Sequence, residues 1–130
     1  MNTINNPAML EEIARNERHF IQAPSAFFHA WKRGVQLLKP TLFGMGTQAH
    51  IDLAQDKWEL CPNLEIIDQT IDVMSSGERV FLAAMVSFYS AEIGGALLNR
   101  VGVYGLSDLA GLDLVRRQVI TDLILNYTGW

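Results

Sequence analysis

Arg79-Val80-Phe81-Leu82-Ala83-Ala84-Met85-Val86-Ser87-Phe88-Tyr89 decides the fold. Its core, Val80 to Val86, is apolar at every position and leaves no side for water. A helix without a polar face belongs in the middle of a helical core. The run is also too short to span a bilayer, which takes roughly 20 apolar residues. Immediately upstream, Ser75-Ser76-Gly77-Glu78 sets a serine three residues ahead of a glutamate, the spacing of a capping box that opens a helix. Arg79 to about Tyr89 is therefore the expected hub, with Phe81, Ala84, Met85 and Phe88 buried.

Upstream of the hub, Leu64, Ile67, Ile71 and Met74 are spaced as one amphipathic helix starting near Asn63. Further back, Phe27, Trp31, Val35 and Leu38 form the stripe of a helix over Ala26–Leu38, capped by Ser25 and stopped by Pro40. Pro24-Ser25 is expected to separate it from a first helix, which Asn6 caps and Pro7 opens, with Leu10, Ile13 and Ala14 inward. Residues 1–7 are polar and expected to be mobile. Residues 41–61 read two ways. Thr47 can cap a helix over Gln48–Leu60 with Ile51, Ala54, Trp58 and Leu60 inward. The alternation of Ala49, Ile51 and Leu53 with Gln48, His50 and Asp52 equally suits a short strand. Helix is preferred, because no second strand is in evidence to complete a ladder.

Downstream, Ala91–Arg100 reads as a shorter helix weakened by Gly94-Gly95. Gly102 and Gly105 make a tight connection, and Ser107 or Asp108 caps a single turn. Asp113 caps a last helix with Leu112, Val115, Val119, Ile120, Leu123, Ile124 and Tyr127 inward; Gly129 stops it. Trp130 is costly to leave in water, so it is expected to fold back or meet a partner. The expected architecture is all-α, a single compact domain over 1–130, with five to seven helices packed around residues 79–89.

Composition narrows the function classes. The 130 residues are 49% hydrophobic and 18% charged, which excludes a disordered chain and suffices for one domain. A single cysteine, Cys61, excludes a disulfide framework or a multi-cysteine zinc site and fits a reducing compartment. Met1–Pro7 has neither the basic nor the apolar region of a secretory leader. A soluble, cytoplasmic protein with no membrane segment is the expectation. The net charge of −4 is uneven: residues 40–78 carry Asp52, Asp56, Glu59, Glu65, Asp68, Asp72 and Glu78 against Lys57 alone. Phosphate backbones are poor partners for such a surface, so no nucleic acid is expected. Asp52, Asp56, Glu59, Glu65, Asp68 and Asp72, together with Trp130, form the candidate interaction surface.

No set of residues carries a catalytic or metal-binding signature. His50-Ile51-Asp52 with Asp56, Glu59 and Cys61 is the densest group of potential ligands. On a helix His50 and Asp52 diverge, and only Asp52 and Asp56 share a face. Zinc or di-iron sites want a second ligand three or four residues from a histidine; Glu17-Arg18-His19 and His29 lack that spacing. Cys61-Pro62 and Ser75-Ser76-Gly77 match no nucleophile motif. Gly44-Met45-Gly46, Gly94-Gly95 and Gly102–Gly105 lack the Lys-Ser/Thr of a phosphate cradle and read as turns. Leu106, Leu109 and Leu112 stand where a calcium loop needs oxygens. Arg116 and Arg117 are too few for a helix-turn-helix, and Lys32-Arg33 with Lys39 read as a solvated helix face.

The expected function is a small non-enzymatic interaction module, an adaptor, regulator or inhibitor, with a protein partner and no cofactor, catalytic residue or metal. The alternative is a small enzyme or ligand-binding domain with its site near His50, Asp52 and Cys61, or a ligand held at the Gly44–Gly46 turn. Self-association is also expected. Adjacent apolar pairs, Phe27/Phe28, Leu37/Leu38 and Ile66/Ile67, point about 100° apart and cannot share one core line. The apolar strip they leave is most simply covered in a two-fold dimer.

Overall fold

Phe81, Leu82, Ala83, Met85 and Val86 have no exposed surface, so the helix carrying them is the centre of the molecule. The computed structural model describes residues 6–130. Among these are six α-helices: α1 (Pro7–Gln36), α2 (Gln48–Leu53), α3 (Leu64–Thr70), α4 (Ser76–Tyr89), α5 (Ala91–Arg100) and α6 (Leu114–Asn126). Short 3-10 turns at Pro40–Leu42, Lys57–Leu60, Ile71–Val73 and Leu106–Gly111 connect them. The described residues contain no strand, only an isolated antiparallel bridge between Phe43 and Pro62. The all-α single domain is as the sequence led us to expect.

Ser75 caps α4 by accepting the Glu78 N–H, and its hydroxyl donates to the Glu78 carboxylate at 3.1 Å. The glutamate thus answers the hydroxyl and not the backbone N–H of a complete capping box. α5 folds back on α4 through Gly94, whose missing side chain lets the two backbones touch at Ser87. α6 runs antiparallel to α1, tied by an ion pair between Arg33 and Asp122 and by His19, whose Nε2 donates to the Leu125 carbonyl. Trp31 of α1 is fully buried and donates its indole N–H to the Leu60 carbonyl at 2.9 Å, which locks the 41–61 segment onto the core.

Several expectations are corrected. Pro24 does not divide two helices: α1 is continuous from Pro7 to Gln36, about 45 Å at 1.5 Å per residue. Pro24 is solvent-exposed, so the carbonyl it leaves without a donor can be hydrated. Asn6 caps this helix as expected; residues 1–5 of the segment expected to be mobile lie outside the described residues, and Pro7 is helical. The helix anticipated over Gln48–Leu60 ends at Leu53, because the Asp56 carboxylate accepts the Glu59 N–H and starts a separate turn. Trp58, expected inward, is 61% exposed. The Asn63–Met74 helix stops at Thr70 and tightens into a 3-10 turn. Phe88 is half-buried against Phe27 and Tyr127, since α4 meets α6 there only along one edge. Of the residues expected inward around α6, Leu112, Val119, Ile120 and Leu123 are buried while Val115 and Ile124 are exposed, because α1 and α4 cover one side of the helix only; Tyr127, just past its end, is 44% exposed yet packs on Phe27 and Phe88. The adjacent pairs divide as helical geometry requires: Phe27, Leu38 and Ile67 are buried, and Phe28, Leu37 and Ile66 lie outside them.

Candidate functional site

Asp52, Asp56, Glu59, Glu65, Asp68 and Asp72 are all exposed, and all but Glu65 are engaged by neighbouring groups. Asp56 and Glu59 cap their own turn, the Glu59 carboxylate accepting the N–H groups of Gln55 and Asp56, which hold its pKa below the usual range. Asp52 accepts from the Gln48 amide, and Asp68 and Asp72 clamp Arg100 at 2.6 and 2.7 Å. Glu65 is exposed on α3. Trp130 turns inward through Gly129, whose φ is +111°, and packs on Trp31, Trp58, Tyr89 and Phe27.

His50, Asp52 and Cys61 are not hydrogen-bonded to one another. His50 Nε2 donates to the Glu59 carbonyl at 2.8 Å, and the Cys61 thiol donates to the Trp58 carbonyl at 3.3 Å. Burial, and next the charge of Asp56, push the Cys61 pKa up, away from the thiolate a nucleophile needs. Gly44 is filled around: a Cβ there would stand 2.5 Å from the Glu59 carbonyl oxygen, so this turn holds the chain and not a ligand. No cluster of three or more potential metal ligands occurs among the described residues.

Two other features stand out on α1. Its outer half, residues 7–22, carries no buried residue, yet Met9, Leu10, Ile13, Phe20 and Ile21 are all large, apolar and exposed. Phe20 and Ile21 are 67% and 79% exposed. Met9, Ile13, Asn16, Phe20, Ala23, Phe27, Ala30 and Gly34 step by alternating fours and threes along one side of the helix. The last four are buried in the body; the first four extend the same line past the end of α6, which closes near His19. That 4-3 rhythm crosses Pro24 undisturbed, and it was the available signal that one helix and not two spans this region.

Beside the inner half of α1 lies a cleft of about 760 Å³, between residues 24–36 and the 54–58 segment. Phe28 and Trp58 line it from the two sides. Of the basic group expected as a solvated face, Arg33 and Lys39 are exposed, Arg33 pairing with Asp122, whereas Lys32 is half-buried and crosses to the carbonyls of Asp52 and Ala54 at 2.9 and 3.2 Å. Lys57 donates to the Gly129 carbonyl and lies over the rings of Trp130, Trp58 and Phe27.

Comparison with protein-family models, curated proteins and solved structures finds no match to this chain. No helix of the described residues is long and apolar enough to cross a membrane.

Proposed function

We propose that the chain is a non-enzymatic interaction module, an adaptor, regulator or inhibitor, whose binding element is the outer half of α1. The carrying observation is the uncovered seam of Met9, Ile13, Asn16 and Phe20. Flanked by Leu10 and Ile21, it adds up to an apolar strip of the kind that marks an interface. Its occupant is a second copy of this chain. The seam is continuous with the line on which α6 packs, so it is already shaped to accept an antiparallel helix. A parallel copy would drive its own α1 into α6. In the antiparallel arrangement each outer half lies end to end with the other copy's α6 and extends one interface across both molecules. Asn16, in the middle of the seam, is the polar position that sets register in such pairs.

Arg116 donates to Asp113, and Arg117 to the Leu112 and Ala110 carbonyls, which weighs against a phosphate backbone as partner. A single partly buried thiol suits a cytoplasmic setting. Light scattering at micromolar concentration is expected to give twice the 14.6 kDa chain mass. Ile13→Glu combined with Phe20→Glu is expected to return the monomer with an unchanged circular-dichroism spectrum. A monomeric unaltered protein would overturn the pairing.

A further inference from the structure

The cleft between α1 and the 54–58 segment combines aromatic walls with lysine side chains. Its 760 Å³ falls within the roughly 300–1,000 Å³ of small-molecule sites. Lys32 and Lys57 are both half-buried, and neither makes an ion pair among the described residues. Each ammonium is held by carbonyl oxygens instead, Lys32 at 2.9 Å from Asp52 and Lys57 at 2.9 Å from Gly129. Burial also draws the Lys57 pKa down, the mark of a cation losing water without gaining an anion. In a chain of net charge −4, Lys32, Arg33 and Lys57 line this cleft against Asp56 alone, a local excess of positive charge. Phe28 and Trp58 line the same cleft, one from α1 and the other from the 57–60 turn.

We propose that this cleft binds a small planar anion, an aromatic ring carrying a carboxylate or phosphate group. The ring lies against the Phe28 and Trp58 walls, and the acid group takes the remaining N–H of Lys32. A neutral apolar ligand would strip water from the ammonium groups and return nothing to them. A bare anion would leave the two aromatic walls wet. Only a molecule that combines both parts satisfies the cleft. The inference does not depend on the pairing of α1, which uses residues outside the cleft.

The test is a ¹H–¹⁵N NMR titration of the full chain with four probes: benzoate, phenyl phosphate, benzyl alcohol and inorganic phosphate. Benzoate or phenyl phosphate is expected to move the Trp58 indole N–H and the amides of 24–36 and 54–58 saturably. The expected dissociation constant is about 1 mM or tighter, within reach of ligands of roughly nine to eleven heavy atoms. Benzyl alcohol and inorganic phosphate are expected to bind at least ten-fold more weakly, and the stronger of the two acids identifies the group preferred. Lys32→Gln is expected to weaken the better acid ten-fold. Because Lys32 also tethers the 52–54 segment, Trp58→Ala, at an exposed ring, serves as the second variant with the same expected loss. Absence of saturable shifts, equal response to benzyl alcohol or to inorganic phosphate, or unchanged affinity in both variants would each overturn the proposal.

Discussion

At Gly94 a Cβ would stand 2.2 Å from Ser87 Cα and 2.4 Å from its backbone nitrogen. Those are main-chain atoms of α4 and cannot swing aside. At Gly95, one residue on, nothing lies within 4 Å. Gly94→Ala is therefore expected to destabilise by about 3 kcal/mol or more, as overpacking against backbone does. Gly95→Ala, in a helix interior, is expected to stabilise by about 0.5–1 kcal/mol. Denaturant titration of the two variants checks both signs. The glycine pair reads in the sequence only as a weakening of α5; which of the two makes the crossing depends on where α4 lies. Arg100 allows a second measurement. Its hydrogen bonds hold the Asp72 carboxyl below the usual carboxylate range, and the two aspartates push the Arg100 pKa up. A depressed folded pKa stabilises above the unfolded value of about 3.9 and loses that contribution as pH falls through the folded one. Arg100→Gln is expected to flatten the acid limb of stability below about pH 5, followed by thermal melts across pH. An unchanged limb would place the acid sensitivity in other carboxylates.

At the scale of elements, α1 is the helix that sequence rules misjudge. A proline in a helix interior costs about 3 kcal/mol, which is why Pro24-Ser25 reads as a boundary. The helix nevertheless runs unbroken from Pro7 to Gln36, with Ala23 its one buried residue before Pro24 among the described residues. Pro24→Ala is expected to raise stability by about 2 kcal/mol, the helix cost less the extra freedom of the unfolded chain. A loss of stability in chemical denaturation would show that the ring is packed and not merely tolerated. The 48–60 segment fails for the opposite reason. Ile51, Ala54 and Leu60 are buried as their spacing implies, but the Asp56–Glu59 cap is local chemistry that cuts the helix between them.

Across the whole molecule, the core is organised around α4 and closed by an aromatic group of Phe27, Trp31, Phe43 and Trp130. Phe81 is fully enclosed, whereas Phe88 lines an apolar groove between α4, α5 and α6. Phe81→Ala is expected to cost about 3–5 kcal/mol, the range for emptying an enclosed aromatic site. Phe88→Ala is expected to cost less than Phe81→Ala, because its surroundings are already open to water. Equal losses in urea titration would mean that the groove is closed in solution. The aromatic group also accounts for Trp130: its ring covers Trp31 and Trp58 while Lys57 stacks on its face.

The sequence by itself determined the helical class, the hub at residues 79–89, and the caps at Asn6, Thr47, Ser75 and Asp113. Those are local or periodic properties, written within four or five residues and independent of what lies across the core. Only the tertiary structure decided which half of α1 is covered, which side of α6 is buried, and that Lys32, Lys57, Phe28 and Trp58 meet at one cleft. Coverage depends on where a neighbouring helix ends. α6 stops at Asn126 and leaves twelve residues or more of an unbroken seam beyond it, a fact that no window along α1 contains. The cleft likewise joins residues about 30 positions apart, brought together because Trp31 buries its indole against Leu60.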